Sequence, residues 1–470
     1  MKKLLIKLLI VIGAGILYLF IGVIASYIKQ PEISEKYSNS FNLEEYYSDK
    51  ISCDRAYVVE DNSAALIERL RMIERAEERI LLSTFEIRAD NSGKAVVAAL
   101  LNAAEKGIEV KVLVDGFSAA LQMNNNEYFM ALSANDNVEI KIYNPVNLLK
   151  PWRSMGRLHD KYMIVDDELY ILGGRNTFDY FLGDNGYKNY DRDLLVYNTE
   201  PDNSKSSLYD LEDYFYTVWK LKECKPFKGA ERKADIKKAA KAGLELESIY
   251  YKNRKEYNLS EDFDYRASTY EVNNISILTN PIHVYSKEPT VFYCLIQLMK
   301  NADRDVNIHT PYIIFNDYMY EQITAVCNRN TKVRIMTNSA ANNGNPFGIS
   351  DYLIHRDKIL NTGISLYEYE GGISYHGKSI LIDDNISIIG SFNMDIRSAY
   401  LDTEIMLVVD SKDVNRQLKE YMESYEAEAV YVIDKDTEIV PEGVVRQELT
   451  PKKKVLTKII SLFNWLRFLM

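Results

Sequence analysis

Only five histidines occur in the 470 residues, and two of them head the same pattern. Around His159 the chain reads RLHDKYMIVDDELYILGGRN, and around His376 it reads SYHGKSILIDDNISIIGSFN. With the histidines aligned, Lys161 matches Lys378, Asp166 matches Asp383, Gly173 matches Gly390 and Asn176 matches Asn393. One H-x-K-x-x-x-x-D string is expected about 0.03 times in a chain of this composition. Two copies with glycine and asparagine in step therefore imply a duplicated unit. The residue types suit attack at a phosphodiester, whose phosphorus is shielded by negative oxygens. Two lysines supply the cations with no metal or other cofactor, helped by the Asn176 and Asn393 amides and the Gly-rich turns. One histidine can attack phosphorus and hold the group covalently. The other can protonate the departing alcohol and deprotonate the incoming one, since an imidazole of pKa about 6.5 serves both duties. Neither half offers enough alone, which predicts one site at a pseudo-twofold interface.

The flanking sequence repeats as well. In the first half SAALIERLRMIERAEE precedes ILLSTFEI, and AVVAALLNAAEKG precedes VKVLVDG. In the second, VFYCLIQLMKNA precedes VNIHTPYII, and a helical stretch near Tyr318–Cys327 precedes VRIMTNS. Alternating helix and strand reads as an α/β fold, a sheet flanked by helices in each half. The motifs themselves predict β-hairpins, with turns at Asp166–Glu168 and Asp383–Asn385. Residues two apart on a strand share a face, so each histidine and its lysine point the same way. Asp166 and Asp383 fall in the turns, off that face, where a structural role is expected.

The net charge of −11 argues against a general nucleic-acid partner, which needs a basic surface. Both ends depart from the acidic body. Leu8 to Ile28 is an uncharged apolar run, preceded by Lys2, Lys3 and Lys7. It is long enough to cross a bilayer and longer than a signal-peptide core, which favours an uncleaved anchor over cleavage near Val23 and Ala25. The positive-inside rule places the amino terminus in the cytoplasm and the globular part outside. The last 20 residues carry Lys452, Lys453, Lys454, Lys458 and Arg467 with no acid, and their apolar residues recur at helical spacing. It is either a basic amphipathic helix lying in a membrane interface or a helix docked on the protein's own core.

The paired motif, with G-[GS]-x-N after each copy, resembles the signature of the phospholipase D superfamily. The likeness extends to its bacterial cardiolipin synthase branch through GGRNTFDYF (Gly173–Phe181) and GSFNMDIRSAYLDTEI (Gly390–Ile405). HTPYII, MTNSAANN and DYLIHRDKILNTGISLYEYEG are also similar to segments of that branch, and the resemblance runs from roughly Ser63 to Asp410. It implies two phospholipase D-like lobes, each a mixed sheet with flanking helices, and both motifs at one pocket. It implies His159 as nucleophile and His376 as acid/base, with Asp193 and Glu404 supporting the histidines. The first half carries extra residues around Gly183–Tyr190, so the offsets of those two acids differ. Ser391 is matched by Gly174, so its hydroxyl serves one side only. The implied activity is a membrane-anchored phosphatidyltransferase joining two phospholipids, such as phosphatidylglycerol, through a phosphatidyl-histidine. Hydrolysis by a phospholipase D and a nuclease-type phosphodiesterase share the motif. Many synthases of the branch carry two amino-terminal spans, whereas one is evident here.

The expected organisation is an anchor at 1–30, a linker at 31–60, a first lobe at 61–227, a charged linker at 228–270 that is helical or solvated, a second lobe at 271–435 and a carboxyl-terminal segment with the basic helix at 436–470. With four cysteines, a disulfide scaffold and a structural zinc site are not expected. Cys53 and Cys224 bracket the first lobe in polar contexts and form a candidate disulfide. Cys294 and Cys327 read as core, as does His309, and His283 and His355 have no partner pattern.

Overall fold

The computed structural model describes residues 2–329 and 331–470, and the duplication is visible in its sheets. The first lobe orders its strands Asp54–Val59, Asp193–Asn198, Leu169–Gly173, Tyr162–Val165, Arg79–Thr84, Glu109–Asp115, Val138–Tyr143 and Cys224–Pro226. The second orders Asn274–Thr279, Ile405–Asp410, Ile386–Gly390, Ser379–Ile382, Asp305–His309, Lys332–Asn338, Ser365–Tyr369 and Ala429–Val432. Strand for strand the two orders are the same. In each lobe three parallel strands joined through helices follow the helix–strand alternation in sequence, and the motif hairpin pairs antiparallel beside them. Side-chain carboxylates cap the helices that start this pattern: Asp61 accepts from Ala64 N–H and Asp90 from Gly93 N–H.

Each lobe has its own apolar core, and a third core joins them. Leu172, Leu194, Leu381, Ile389 and Leu407 are fully buried there, from both sheets. Helices cross the join. Ser207–Trp219 of the first lobe packs on Asn274–Thr279, and Lys412–Glu426 of the second packs on Asp54–Val59. Gln417 Oε1 accepts from Val58 N–H at 2.8 Å across it. The two motifs are therefore held against each other by a buried interface.

Asp166 and Asp383 sit at the hairpin turns in the left-handed region, with φ of 50° and 51°. Each carboxylate gathers three backbone N–H groups from the segment entering the neighbouring strand. Asp166 accepts from Glu77, Glu78 and Arg79, and Asp383 from Asp303, Arg304 and Asp305. They tie turn to strand and do not face the histidines. Asp166→Ala is expected to cost roughly 1–3 kcal/mol in denaturant unfolding while activity per folded molecule is retained.

Three expectations from sequence need correction. Residues 31–60 are not simply a linker. Tyr37, Phe41 and Tyr46 pack on the second lobe's core, and Asp54–Val59 is a strand of the first. Residues 228–270 contain the helix Lys233–Glu256, whose Ala239, Ala242, Leu246 and Tyr250 are buried against the first lobe. The small alanine faces let it lie close, which composition alone conceals. The Cys53–Cys224 disulfide is absent, and both thiols are free. Cys53 enters the strand near one edge of the sheet and Cys224 lies on the strand at the other. Seven strand spacings separate them, about 30 Å, where a disulfide allows about 7 Å between Cα atoms.

The ends of the chain meet. The amino-terminal helix spans Lys2–Tyr27, and among the described residues it is the one helix long and apolar enough to cross a membrane. The carboxyl-terminal helix Pro451–Ser461 docks by Thr457 and Ile460, and Arg467 beyond it pairs with the buried Asp351 carboxylate at 2.7 and 2.9 Å. It is thus docked on the body, yet Val455, Leu456, Ile459, Leu462, Phe463 and Trp465 remain exposed.

Candidate active site

Both histidines lie at the entrance of a hairpin, directly ahead of Tyr162–Val165 and Ser379–Ile382, rather than within the strands. His159 Nδ1 is 2.9 Å from Glu404 Oε1, and His376 Nδ1 is 2.5 Å from Asp191 Oδ2. Each imidazole is therefore oriented by a carboxylate from the other lobe. Neither half forms the arrangement alone. Backbone contacts repeat the crossing: His159 N–H donates to Thr403 Oγ1 at 3.1 Å, and His376 N–H to Tyr190 O at 2.6 Å. With Nδ1 engaged, Nε2 is the ring atom left for chemistry. The histidine side chains keep 14% and 20% of their surface exposed, so a substrate can reach them.

The lysines lie beneath the rings. Lys161 Nζ donates to the His159 carbonyl, and Lys378 Nζ donates to the His376 carbonyl and to Asp191 Oδ2 at 3.4 Å. Phe85 meets the His159 ring edge-on at 5.5 Å, and Phe181 meets His376 at 5.1 Å. These rings limit water around the imidazoles. Glu404 is held by the hydroxyls of Ser391 and Ser398, the latter at 2.6 Å. On the other side Gly174 replaces Ser391, and a Cβ there would lie 2.2 Å from Asp191 Oδ1. The lone serine hydroxyl thus serves Glu404 only. Asn176 and Asn393 are buried, and their Oδ1 atoms have no partner among the described residues. Buried amides left this way are suited to a bound polar group.

Two site expectations change. Asp193 does not touch a histidine. Its Oδ2 accepts from Arg69 at 2.9 Å and Arg175 at 3.3 Å. Sheet register explains the shift: Gly173 pairs with Asp193, whereas Gly390 pairs with Met406. The residue two before Met406 is Glu404, and the residue two before Asp193 is Asp191. Gly173 and Gly390 are also not phosphate cradles. Their N–H groups donate to the carbonyls of Lys161 and Lys378, and a Cβ at either would collide with the neighbouring strand. Sequence reasoning missed Asp191, Thr403, Phe85 and Phe181. The D-R-D string at Asp191–Asp193 held the first of these.

Burial sets the electrostatics. It lowers His376 to about 4, with Lys378 adding to the effect, and drives His159 well below the ordinary imidazole value. Both rings are neutral at pH 7 in the free protein. Burial would raise Asp191, but Lys378 and His376 hold it below the usual carboxylate range. Burial pushes Glu404 up, against the pull of Lys161 and the two serines. It pulls Lys161 down to about 7. The pocket is thus short of charge until an anion enters. Among the described residues no group of three or more His, Cys, Asp or Glu side chains is disposed to hold a metal ion.

Two repeated lobes, joined so that each supplies the carboxylate for the other's histidine, define a phospholipase D-type fold and site. Comparison with known proteins agrees. The model of the cardiolipin synthase phospholipase D-like domain matches residues 70–219 and 295–425, and the chain belongs to that family. It is 25% identical over 399 residues to cardiolipin synthase C of Escherichia coli, covering 76% of this chain and 81% of that protein. A cardiolipin synthase of Clostridium perfringens is 24% identical over 411 residues, covering 84% of this chain and 75% of that protein. The fold also matches the crystal structure of phosphatidylserine synthase from Haemophilus influenzae, with a TM-score of 0.62 and 15% identity over 88% of this chain and 95% of that one.

Proposed function

We propose that this chain is a membrane-anchored phosphatidyltransferase that makes cardiolipin from two phosphatidylglycerol molecules. The crossed pairing of His159 with Glu404 and His376 with Asp191 carries the proposal. Family membership and the two synthase relatives support the acceptor assignment. His159 Nε2 attacks the phosphorus of the first phosphatidylglycerol, forming a P–N bond. The P–O bond to glycerol breaks, and His376 gives its proton to the departing alkoxide. A hydroxyl of the second phosphatidylglycerol then enters. His376 takes its proton, the oxygen attacks phosphorus, and the P–N bond breaks. Lys161, Lys378, Asn176 and Asn393 hold the phosphate oxygens. The free-protein value of His376 is too low for an acid at neutral pH, and the phosphodiester anion bound beside it raises that value toward the working range. The body lies on the outer side of the membrane by the positive-inside rule.

Purified protein with head-group-labelled phosphatidylglycerol is expected to release glycerol and form a two-phosphate lipid. Free phosphatidate as the sole product would replace the synthase assignment with hydrolysis. A second expectation follows from Lys161. As pH rises through about 7 its cation is lost in the free protein. Since kcat/KM reports the free enzyme, it should fall over that range, while the limb in kcat lies higher because bound phosphate keeps the lysine charged. Lys161→Arg, whose guanidinium stays charged, should move the kcat/KM limb up by about two pH units or more.

A further inference from the structure

The body is clasped to the amino-terminal helix from its middle to its carboxyl-terminal end. Tyr18 Oη donates to Leu149 O at 2.8 Å. Phe20 meets Trp465 edge-on at 5.9 Å. Gly22 lies against Pro151, where an added Cβ would be 2.4 Å from the proline ring. Tyr27 is buried, and its hydroxyl donates to Val284 O at 3.0 Å. The contacts begin ten residues before Ile28, the end of the apolar run, about 15 Å along a helix. That is roughly half of a hydrocarbon core about 30 Å thick. A helix that spans the bilayer and is gripped at its middle cannot leave the gripping segments in water.

Those segments have the chemistry for that depth. Val146, Leu148 and Leu149 on one side of the helix are exposed, and so are Leu462, Phe463 and Trp465 on the other. In water so many exposed apolar groups in contact with one apolar helix would be a liability. Lys150 lies beside the first group, and Lys452, Lys454 and Lys458 lie on the helix Pro451–Ser461, which ends just before the second. Lysines on such stems reach out to lipid phosphates while their chains cover apolar surface. The patch is continuous with the span itself, through Leu149 and Trp465.

We propose that the 146–152 loop and the carboxyl-terminal segment form a two-sided wedge that sinks the body into one leaflet, with the bilayer as its occupant. Four residues separate the 146–152 loop from Arg157, Leu158 and His159. Tyr312, whose ring hydroxyl is 3.4 Å from Asn393 Nδ2, lines an apolar cleft of about 320 Å³ with Phe463, Leu466 and Leu469. The wedge therefore brings the lipid phase up to the phosphate site, so that a phospholipid need not leave the membrane to react. The proposal rests on the amino-terminal helix being a retained span, and not on the reaction catalysed.

The three tryptophans make the test direct: Trp152 and Trp465 belong to the wedge, and Trp219 is buried in the first lobe. Three full-length single-tryptophan variants, each with the other two changed to Phe, are reconstituted in phosphatidylcholine–phosphatidylglycerol vesicles with or without brominated acyl chains. Near-ultraviolet circular dichroism checks folding, and intact mass checks that the amino-terminal helix is retained. Brominated chains should at least halve the emission of Trp152 and Trp465 and leave Trp219 unchanged. If Trp152 and Trp465 are quenched no more than Trp219 in retained, folded protein, the wedge is overturned. Emission from those two that shifts with protein concentration but not with bromination assigns the face to a second copy, and overturns it equally. Loss of the helix by cleavage refutes the span on which the wedge depends. None of these readouts requires activity.

Discussion

His159→Ala should lower phosphatidyl transfer by roughly 10⁴-fold or more, and His376→Ala by roughly 10²–10⁴-fold. The expected gap comes from their unequal duties. Without His159 no P–N bond forms, and nothing near it can replace the nucleophile: Glu404 is buried against two serine hydroxyls, and Lys161 points at a carbonyl. Without His376 the bond can still form, but the leaving alkoxide departs unprotonated. An activated donor separates the two. A phosphatidyl ester of a nitrophenol leaves without needing a proton, so His376→Ala should regain intermediate formation on it. The phosphatidyl group should then stay on the protein, because no base remains to activate the acceptor. His159→Ala should gain nothing from the same donor. Single-turnover release of nitrophenol, with protein-bound lipid phosphate measured in parallel, reads both steps. Rescue of His159→Ala instead of His376→Ala would exchange the two roles.

The parts of this site that were legible in sequence are those carried by fixed local spacing. A histidine, a lysine two residues on and a turn aspartate repeat because a hairpin imposes the same short geometry in both lobes. The alternation of helix and strand reveals the sheet because period and composition are local properties. What stayed hidden depends on pairing between distant segments. Asp191 and Asp193 flank Arg192, and either could be the counterpart of Glu404 until strand register chooses between them. Phe85 and Phe181 are unremarkable aromatics in sequence: strand pairing within the first lobe sets Phe85 on His159, and the join of the lobes sets Phe181 on His376. The first sixty residues read as anchor and linker, yet Tyr46 is core for one lobe and Val59 for the other. The cysteine pairing failed for the same reason. Bracketing a lobe in sequence says nothing about which edge of its sheet each end reaches.

The choice between Asp191 and Asp193 yields the second large effect, because the same substitution at neighbouring carboxylates should act on different quantities. Asp191→Asn keeps the shape but removes the charge that faces His376 Nδ1 and Lys378 Nζ. The imidazole loses the partner that fixes its tautomer, and a comparable change in a hydrolytic triad costs about 10⁴-fold. A loss of roughly 10²–10⁴-fold in kcat is expected here. Lys378, which burial already lowers, loses its opposing anion. It therefore gives up its proton at lower pH, and the alkaline limb of kcat/KM should move down. Stability should change in a defined direction as well. The Asp191 carboxyl is held below its ordinary value in the folded protein. Its contribution is complete above the unfolded value of about 4 and fades as pH falls below it, so that acid-side loss should be absent in Asp191→Asn. Asp193→Asn instead strands the guanidinium groups of Arg69 and Arg175, both buried. Losing one partner of such a buried ionic group costs about 3–5 kcal/mol, so this variant should unfold far more readily. Its kcat per folded molecule and its pH profile should stay near those of the parent protein. Denaturant unfolding and a pH–rate profile on both variants decide the matter. A pH profile displaced by Asp193→Asn and left unmoved by Asp191→Asn would return Asp193 to the histidine and refute the crossed pairing.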